Sequence, residues 1–117
     1  MSERIGKYIE LLRLLQKATP EQQKLLLETS NGEFIKAVCE CCLNATLGNV
    51  HYSPKSKRKL KKFAPVIRKV ASKNDKNKTI KRKRQLLVQH GGFLPALLAP
   101  IISLAGGLIG ELVAKQL

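Results

Sequence analysis

The chain has 117 residues, of which 22 are Lys or Arg and 8 are Asp or Glu, giving a net charge of +14. This length has room for one small domain, or for a smaller domain with appendages. The three cysteines, an odd number, and the lack of a signal peptide pattern at the N-terminus argue against a secreted disulfide scaffold and favour a reducing compartment.

Residues 1–50 are predicted to form a small helical unit. Apolar side chains recur at helical spacing from Ile5 to Leu15, which predicts a first helix in the segment RIGKYIELLRLLQKA. Thr19 and Gln22 match a capping box that restarts the chain as a second helix, with Pro20 at its first position. A unit of fewer than sixty residues buries only about 60% of its unfolded surface, so we expect a partner or self-association as a homo-oligomer.

A third helix is expected after Ser30 and Glu33, a second capping box, and Gly48 is expected to end it in a left-handed conformation. This helix contains all three cysteines. We interpret Cys39 and Cys42 as core residues and Cys41 as more exposed. Four zinc ligands cannot be assembled from these cysteines on one helix and two separate histidines, so no metal is predicted.

The positive surplus lies in residues 51–84, where fifteen Lys or Arg accompany a single acid, Asp75. Ser53 and Pro54 are predicted to start a basic helix, and Pro65 to bend or divide it. A solvated linker is the alternative, but linkers lack the apolar stripe at helical spacing seen here, which comprises Leu60, Phe63, Ala64, Ile67, Val70 and Ala71. We therefore predict a basic helical segment with an anionic partner.

Residues 85–117 form a hydrophobic tail, in which residues 93–110 carry no charge. Eighteen residues is the lower limit for crossing a bilayer, and Pro95 and Pro100 interrupt the run. Three alternatives stay open: the tail spans a membrane, lies in its interface, or packs against another protein. The predicted contacts are Phe93, Leu94, Leu97, Leu98, Ile101, Ile102 and Leu104.

These patterns predict an all-α protein with three segments: the helical unit 1–50, the basic nucleic-acid-binding segment 51–84 and the tail 85–117. No nucleophile elbow, HExxH motif or phosphate-binding glycine loop is present, and His51 and His90 have no evident carboxylate to orient them. We predict that the protein is not an enzyme and needs no cofactor.

The stretch QLLVQHGGFLPALLAPIISLAGG resembles the C-terminal part of the adenovirus core protein X precursors, which join a basic DNA-condensing segment to a hydrophobic tail. A longer likeness, including AVCECCLNATLGNV and SPKSKRKLKKF, is to small proteins of Polinton/Maverick elements and adintoviruses. The run Gly91–Leu97 beside Lys81–Arg84 carries most of the resemblance. The chain differs from the adenoviral family in using mostly Lys rather than Arg, and in its helical N-terminal unit.

The resemblance implies a virion core or minor structural protein whose tail contacts a capsid protein or a membrane, with a viral maturation protease as a further partner. The expected locations are the virion core and, during expression, the host nucleus. Such proteases cut after a large aliphatic residue, any residue and two glycines. The sequence Leu104-Ala105-Gly106-Gly107 fits this form, with cleavage between Gly107 and Leu108. Lys81–Arg84 also suits a nuclear import signal.

Charge and resemblance together predict non-specific binding of double-stranded DNA by phosphate neutralisation. RNA is not distinguished from DNA by this pattern, and no aromatic platform for single strands accompanies the cations. The alternatives are a membrane-active protein, anchoring or lytic, whose basic block binds anionic headgroups, and an RNA-binding adaptor. The predicted nucleic-acid contacts are Lys55, Lys57, Arg58, Lys59, Lys61, Lys62, Arg68, Lys69, Lys81, Arg82, Lys83 and Arg84.

Overall fold

A computed structural model describes residues 2–72 and 79–104, and within these ranges the chain is helical with no strand, which confirms the all-α prediction. The helices are α1 (Glu3–Lys7), α2 (Ile9–Lys17), α3 (Pro20–Thr29), α4 (Gly32–Thr46), α5 (Pro54–Lys61), α6 (Ala64–Ala71) and α7 (Ile80–His90). A 3-10 turn, Gly91–Phe93, joins α7 to helical residues 94–104, named α8 here.

Most helix boundaries follow from local chemistry. The capping box of Thr19 and Gln22 is present at the start of α3, and Ser53 Oγ accepts the Ser56 N–H at the start of α5. Gly48 has a φ of 76°, the left-handed conformation predicted after α4. Pro65 divides the basic segment as predicted, because α6 begins beside it and α5 has already ended at Lys61.

Two predicted boundaries are wrong. The first helix is interrupted at Tyr8 (φ −105°, ψ 17°), whose ring packs against that of Phe34 with 6.0 Å between centroids. The cap of α4 is Asn31 rather than Ser30, because Asn31 Oδ1 accepts the Phe34 N–H at 2.8 Å. Ser30 instead ends α3, where its N–H donates to the carbonyl of Leu26.

The core is built around α4, which packs against α1, α6 and α7, while α3 packs against α7 and α2. Phe34 and Val38 of α4 are fully buried, as are Val70 of α6 and Leu87 of α7. Burying each such side chain contributes about 1.5–3 kcal/mol. Residues 1–50, 51–84 and 85–104 thus all contribute to one apolar cluster.

The last helix lies inside this cluster. Phe93 contacts Phe63 with 5.8 Å between ring centroids, and the Tyr52 hydroxyl donates a 2.8 Å hydrogen bond to the carbonyl of Leu97. Burial raises the pKa of Tyr52 above its ordinary value. The segment that precedes α5 is therefore attached to the helix that ends the described chain.

Candidate nucleic-acid interface

The outer surface of α5, α6 and the start of α7 is rich in cations. Ten of the twelve predicted nucleic-acid contacts are exposed there: Lys55, Lys57, Arg58, Lys59, Lys61, Lys62, Arg68, Lys69, Lys81 and Arg82. Within residues 2–72 and 79–104, none of these ten forms an ion pair. Their charge is therefore available to an external anion.

The carboxylates of the described chain all belong to its first forty residues, and several are already paired there. Arg4 pairs with Glu33 at 3.2 Å and also with Glu40, while Lys36 pairs with Glu33 at 3.2 Å. The hydrogen bond from Lys36, followed by its charge, lowers the pKa of Glu33. The N-terminal helices thus balance their own charge and leave the basic helices uncompensated.

The first turns of the helices show the same division. Each of α1 to α4 has a Glu in its first turn, which complements the positive end of the helix dipole, whereas α5, α6 and α7 have no acid there. In α5 and α7 a cation, Lys55 or Lys81, occupies the first turn instead. At an exposed position, such a cation lowers the stability of the helix by about 0.3–1 kcal/mol. A bound anion would offset this repulsion between the cation and the positive end of the helix dipole.

The cations around α5 fall on two faces. Successive residues of an α-helix turn by 100°, so Lys55, Arg58, Lys59 and Lys62 lie within one arc of about a third of a turn. We call these four residues the outer stripe. Lys57 and Lys61 lie on a different side of α5, next to the partly buried Leu60.

Lys57 and Lys61 line a groove of about 520 Å³ between α5 and α6 on one side and the end of α4 with residues 48–52 on the other. Arg68 of α6 also lines it. We call this cavity the α5–α6 groove. Its apolar lining residues are Ala45, Val50, Leu60, Ala64, Ile67 and Leu97, and its polar ones include Thr46, Asn49 and His51.

The other two predicted contacts serve the fold. Lys83 is only 9% exposed, and its Nζ donates a 2.6 Å hydrogen bond to the carbonyl of Ser72 at the end of α6. Arg84 Nη1 donates to the carbonyls of Leu27 and Ser30 at 2.6 and 2.7 Å, at the end of α3. Both cations thus cap the negative end of another helix, which otherwise has unpaired carbonyls.

The sequence carried a signal for this arrangement. Lys83 lies three residues after Ile80 and four before Leu87, on the inward side of α7. The last turn of α3 also has no basic residue of its own, so a cation from another helix is favourable there. The predicted import signal, Lys81–Arg84, is thus only partly at the surface, because Lys81 and Arg82 are its exposed residues.

The predicted tail contacts lie mainly in the core. Phe93, Leu94, Leu97, Leu98 and Ile101 are fully buried and Ile102 is 8% exposed, whereas Leu104 is 46% exposed. The helical run Ile80–Leu104 has 25 residues and is long and apolar enough to cross a membrane, but half of its most apolar window is buried against the rest of the chain. The predicted protease site at Gly107 and Leu108 lies outside the described residues.

The cysteines lie inside the core, and the prediction that Cys41 is more exposed is wrong. Cys41 and Cys42 are fully buried and Cys39 is 8% exposed. Burial raises the pKa of Cys39 to about 11 and that of Cys41 to about 12. In the described parts of the chain, no three His, Cys, Asp or Glu side chains come together as a set that could hold a metal ion.

Gln23 is a further residue that sequence reasoning missed. It is buried, and its Nε2 donates a 2.9 Å hydrogen bond to the carbonyl of Gly91. A Cβ on Gly91 would lie 2.6 Å from that nitrogen, whereas a Cβ on Gly92 would meet only the ring of Phe63 at 3.7 Å. Gly91 therefore has a packing role where α7 meets the 3-10 turn.

No protein-family description, curated protein or solved structure matches this chain.

Proposed function

We propose that this protein is a virion core or minor structural protein that binds and condenses double-stranded DNA without sequence preference. The observation that carries the proposal is the set of ten exposed cations on α5, α6 and α7 with no carboxylate partner in the described chain. The resemblance to adenoviral core protein precursors and to Polinton/Maverick and adintovirus proteins supports the same function.

The mechanism is phosphate neutralisation. DNA confined in a capsid repels itself along every phosphate, and a polycation relieves this repulsion while releasing condensed counterions. Lys is a point charge without the two-pronged geometry of Arg, and it is the commoner residue in the outer stripe, which suits binding without base recognition. The helices of the N-terminal unit would hold the cations in place and would not contact DNA.

Gel retardation of a random-sequence duplex across a salt series tests the proposal. If about eight cations contact phosphate, log affinity should fall against log salt with a slope near −7. Replacing the outer stripe by glutamine (K55Q/R58Q/K59Q/K62Q) should reduce the slope to about −3 or −4 equally for every duplex sequence.

The matched control removes four cations from the N-terminal helices, K7Q/K17Q/K24Q/K36Q, which changes the net charge by the same amount. We expect this control to keep a slope near −7, because these side chains lie outside the proposed interface. An equal loss in both variants would mean that net charge alone, and no particular surface, attracts DNA. No retardation of the wild-type protein in dilute buffer would end the proposal.

A membrane-active function is the second candidate, favoured by the apolar helical run Ile80–Leu104. The basic helices would bind anionic headgroups at about 1 kcal/mol per cation near the surface. In this case the buried side chains of α8 would have to leave the core to meet lipid. Dye release from anionic vesicles by the full chain, without DNA retardation at moderate salt, would favour this function over the first.

Processing by a viral protease belongs to the proposed virion function. Cleavage between Gly107 and Leu108 would leave every buried residue of the described core, the last of which is Ile102, on one fragment. We therefore expect a processed protein to stay folded. Mass spectrometry of protein from virions should give residues 1–107, and an intact mass for all 117 residues would dismiss the cleavage.

A further inference from the structure

We propose that the α5–α6 groove binds a single-chain anionic lipid, with the alkyl chain on its apolar floor and the anionic headgroup at the cations of its rim. The inference goes beyond the DNA-binding function proposed above, although Lys57, Lys61 and Arg68 of the rim also belong to the ten exposed cations assigned to DNA. Its volume of about 520 Å³ falls in the range of about 300–1,000 Å³ that is usual for small-molecule sites.

The floor of the groove selects an alkyl chain. Its partly exposed apolar lining is aliphatic, with Ala45 on one wall and Leu60 and Ala64 on the other, while Val50, Ile67 and Leu97 are buried. Tyr52 also contacts the groove, but it is only 5% exposed and its hydroxyl is committed to the carbonyl of Leu97. Recognition of a nucleobase edge would need free polar side chains, whereas Thr46 Oγ1 and Asn49 Nδ2 already donate to the Leu43 carbonyl and to Asn44 Oδ1.

The rim selects an anionic headgroup. Lys57, Lys61 and Arg68 line one side of the groove, and its lining contains no carboxylate. In the described chain none of these three cations has an ion-pair partner. The exposed imidazole of His51 on the opposite wall adds a polar side chain. Charge and apolar surface are thus combined in one cavity, as an amphiphile requires.

Binding of hexyl, octyl and decyl phosphate to the full chain, measured by calorimetry below the concentration of micelle formation, tests the site. Each added methylene should lower Kd about fourfold while the groove can bury it, and inorganic phosphate should bind far more weakly. Decanoate distinguishes a carboxylate from a phosphate headgroup. Amide chemical shifts of Gly48–His51 should move on titration, since these residues line or border the groove.

Two variants separate floor from rim. A64L fills the floor and should abolish the dependence of Kd on the length of the alkyl chain. K57Q/K61Q/R68Q removes the rim cations and should raise the Kd of decyl phosphate at least tenfold. If A64L fails to fold by circular dichroism, A45L fills the groove from the opposite wall. The outer-stripe variant K55Q/R58Q/K59Q/K62Q is the matched control. Its affinity for DNA should fall, and its Kd for decyl phosphate should equal that of the wild type.

The outcomes also distinguish this proposal from the DNA-binding one. A64L leaves every cation in place, so its DNA affinity should equal that of the wild type whether or not lipid binds. Equal Kd values for hexyl and decyl phosphate would overturn the lipid site and leave only an anion-binding surface. A peptide of alternating Leu and Glu that shifts the same amides and binds more tightly than decyl phosphate would overturn it in favour of an acidic protein partner.

Discussion

Arg84 and Arg82 differ in what their guanidinium groups contact, although both belong to the same run of four cations. Arg82 is exposed, whereas Arg84 donates to the last carbonyls of α3. A hydrogen bond from a charged group to an otherwise unpaired carbonyl stabilises a fold by about 1.5–3 kcal/mol. The basic run therefore serves both the surface and the interior.

The first prediction compares these two arginines. R84M should lower the free energy of unfolding by about 1.5–3 kcal/mol, because the Ser30 carbonyl loses the Arg84 donor and the Leu27 carbonyl keeps only the Ser30 hydroxyl. R82M, the same substitution at an exposed site, should change it by less than about 0.5 kcal/mol. Urea unfolding monitored by circular dichroism measures both, and equal effects would contradict the capping role.

The second prediction concerns the two adjacent glycines. G91A should destabilise the fold by about 1 kcal/mol, since the added methyl displaces the Gln23 amide from its hydrogen bond with the Gly91 carbonyl. G92A should be neutral or slightly stabilising, because its methyl meets only ordinary contacts.

A double-mutant cycle identifies the cause. In a Q23A background the methyl of G91A has no amide to displace, so its cost should largely disappear. An unchanged cost in that background would show that Gln23 is not the cause, and would point to the Leu94 side chain, 3.2 Å from the added Cβ, or to the backbone of the 3-10 turn.

At the scale of helices, α5 combines a good cap with an unfavourable charge. Ser53 caps its start and Pro54 suits its first position, but Lys55 occupies the first turn, where an acid is preferred. The surface charge that we assign to DNA binding thus lowers the intrinsic stability of the helix that presents it.

The third prediction separates these effects with two charge reversals. K55E should raise the free energy of unfolding by about 0.3–1 kcal/mol, because a carboxylate then faces the positive end of α5. K62E places the same charge at the C-terminal cap and should lower it by a similar amount. Both should weaken DNA binding alike in retardation assays. Stability changes of the same sign would refute the dipole explanation.

The helices themselves were largely predictable, because their ends depend on neighbours in sequence. Thr19, Ser53, Gly48 and Pro65 act on the backbone within a few residues, and each is found where the local pattern placed it. The break at Tyr8 was not predictable in this way. It accompanies a ring contact with Phe34, a residue of another helix.

At the scale of the whole molecule, the position of the tail could not be derived from its composition. A run of apolar residues with two prolines is compatible with packing against a membrane, a partner protein or the chain's own core. The sequence of the run does not say which of these three surfaces its apolar side chains contact. Its contacts include the ring of Phe63, which packs on Phe93, and the hydroxyl of Tyr52, which donates to the carbonyl of Leu97 and lies 45 residues away in sequence. The cationic surface, in contrast, was predictable because exposed charge needs no internal partner.

The fourth prediction concerns the buried thiols and the stability of the whole fold against alkali. Burial raises the pKa of Cys41 to about 12 from its ordinary value of 9.0. The unfolded chain therefore loses these protons first, and the free energy of unfolding should fall as pH rises above 9.0. Each thiol contributes up to about 1.4 kcal/mol per pH unit in this window.

The measurement is urea unfolding of the wild type and C41A between pH 8 and pH 10. The slopes of the free energy of unfolding against pH are compared, so the two proteins need not be equally stable. The decline with pH should be shallower in C41A by up to about 1.4 kcal/mol per unit. Parallel declines in the two proteins would mean that Cys41 titrates normally and is accessible to water in the folded state.

The hydrogen bond between Tyr52 and Leu97, together with the buried side chains of α8, has a consequence for biosynthesis. A ribosome releases the cationic helices before the residues that complete the core beneath them. A nascent chain that ends before Phe93 would therefore present its positive charge on an unfinished scaffold, exposed to cellular polyanions. Termination or proteolysis upstream of Phe93 should yield aggregates rather than a smaller working protein.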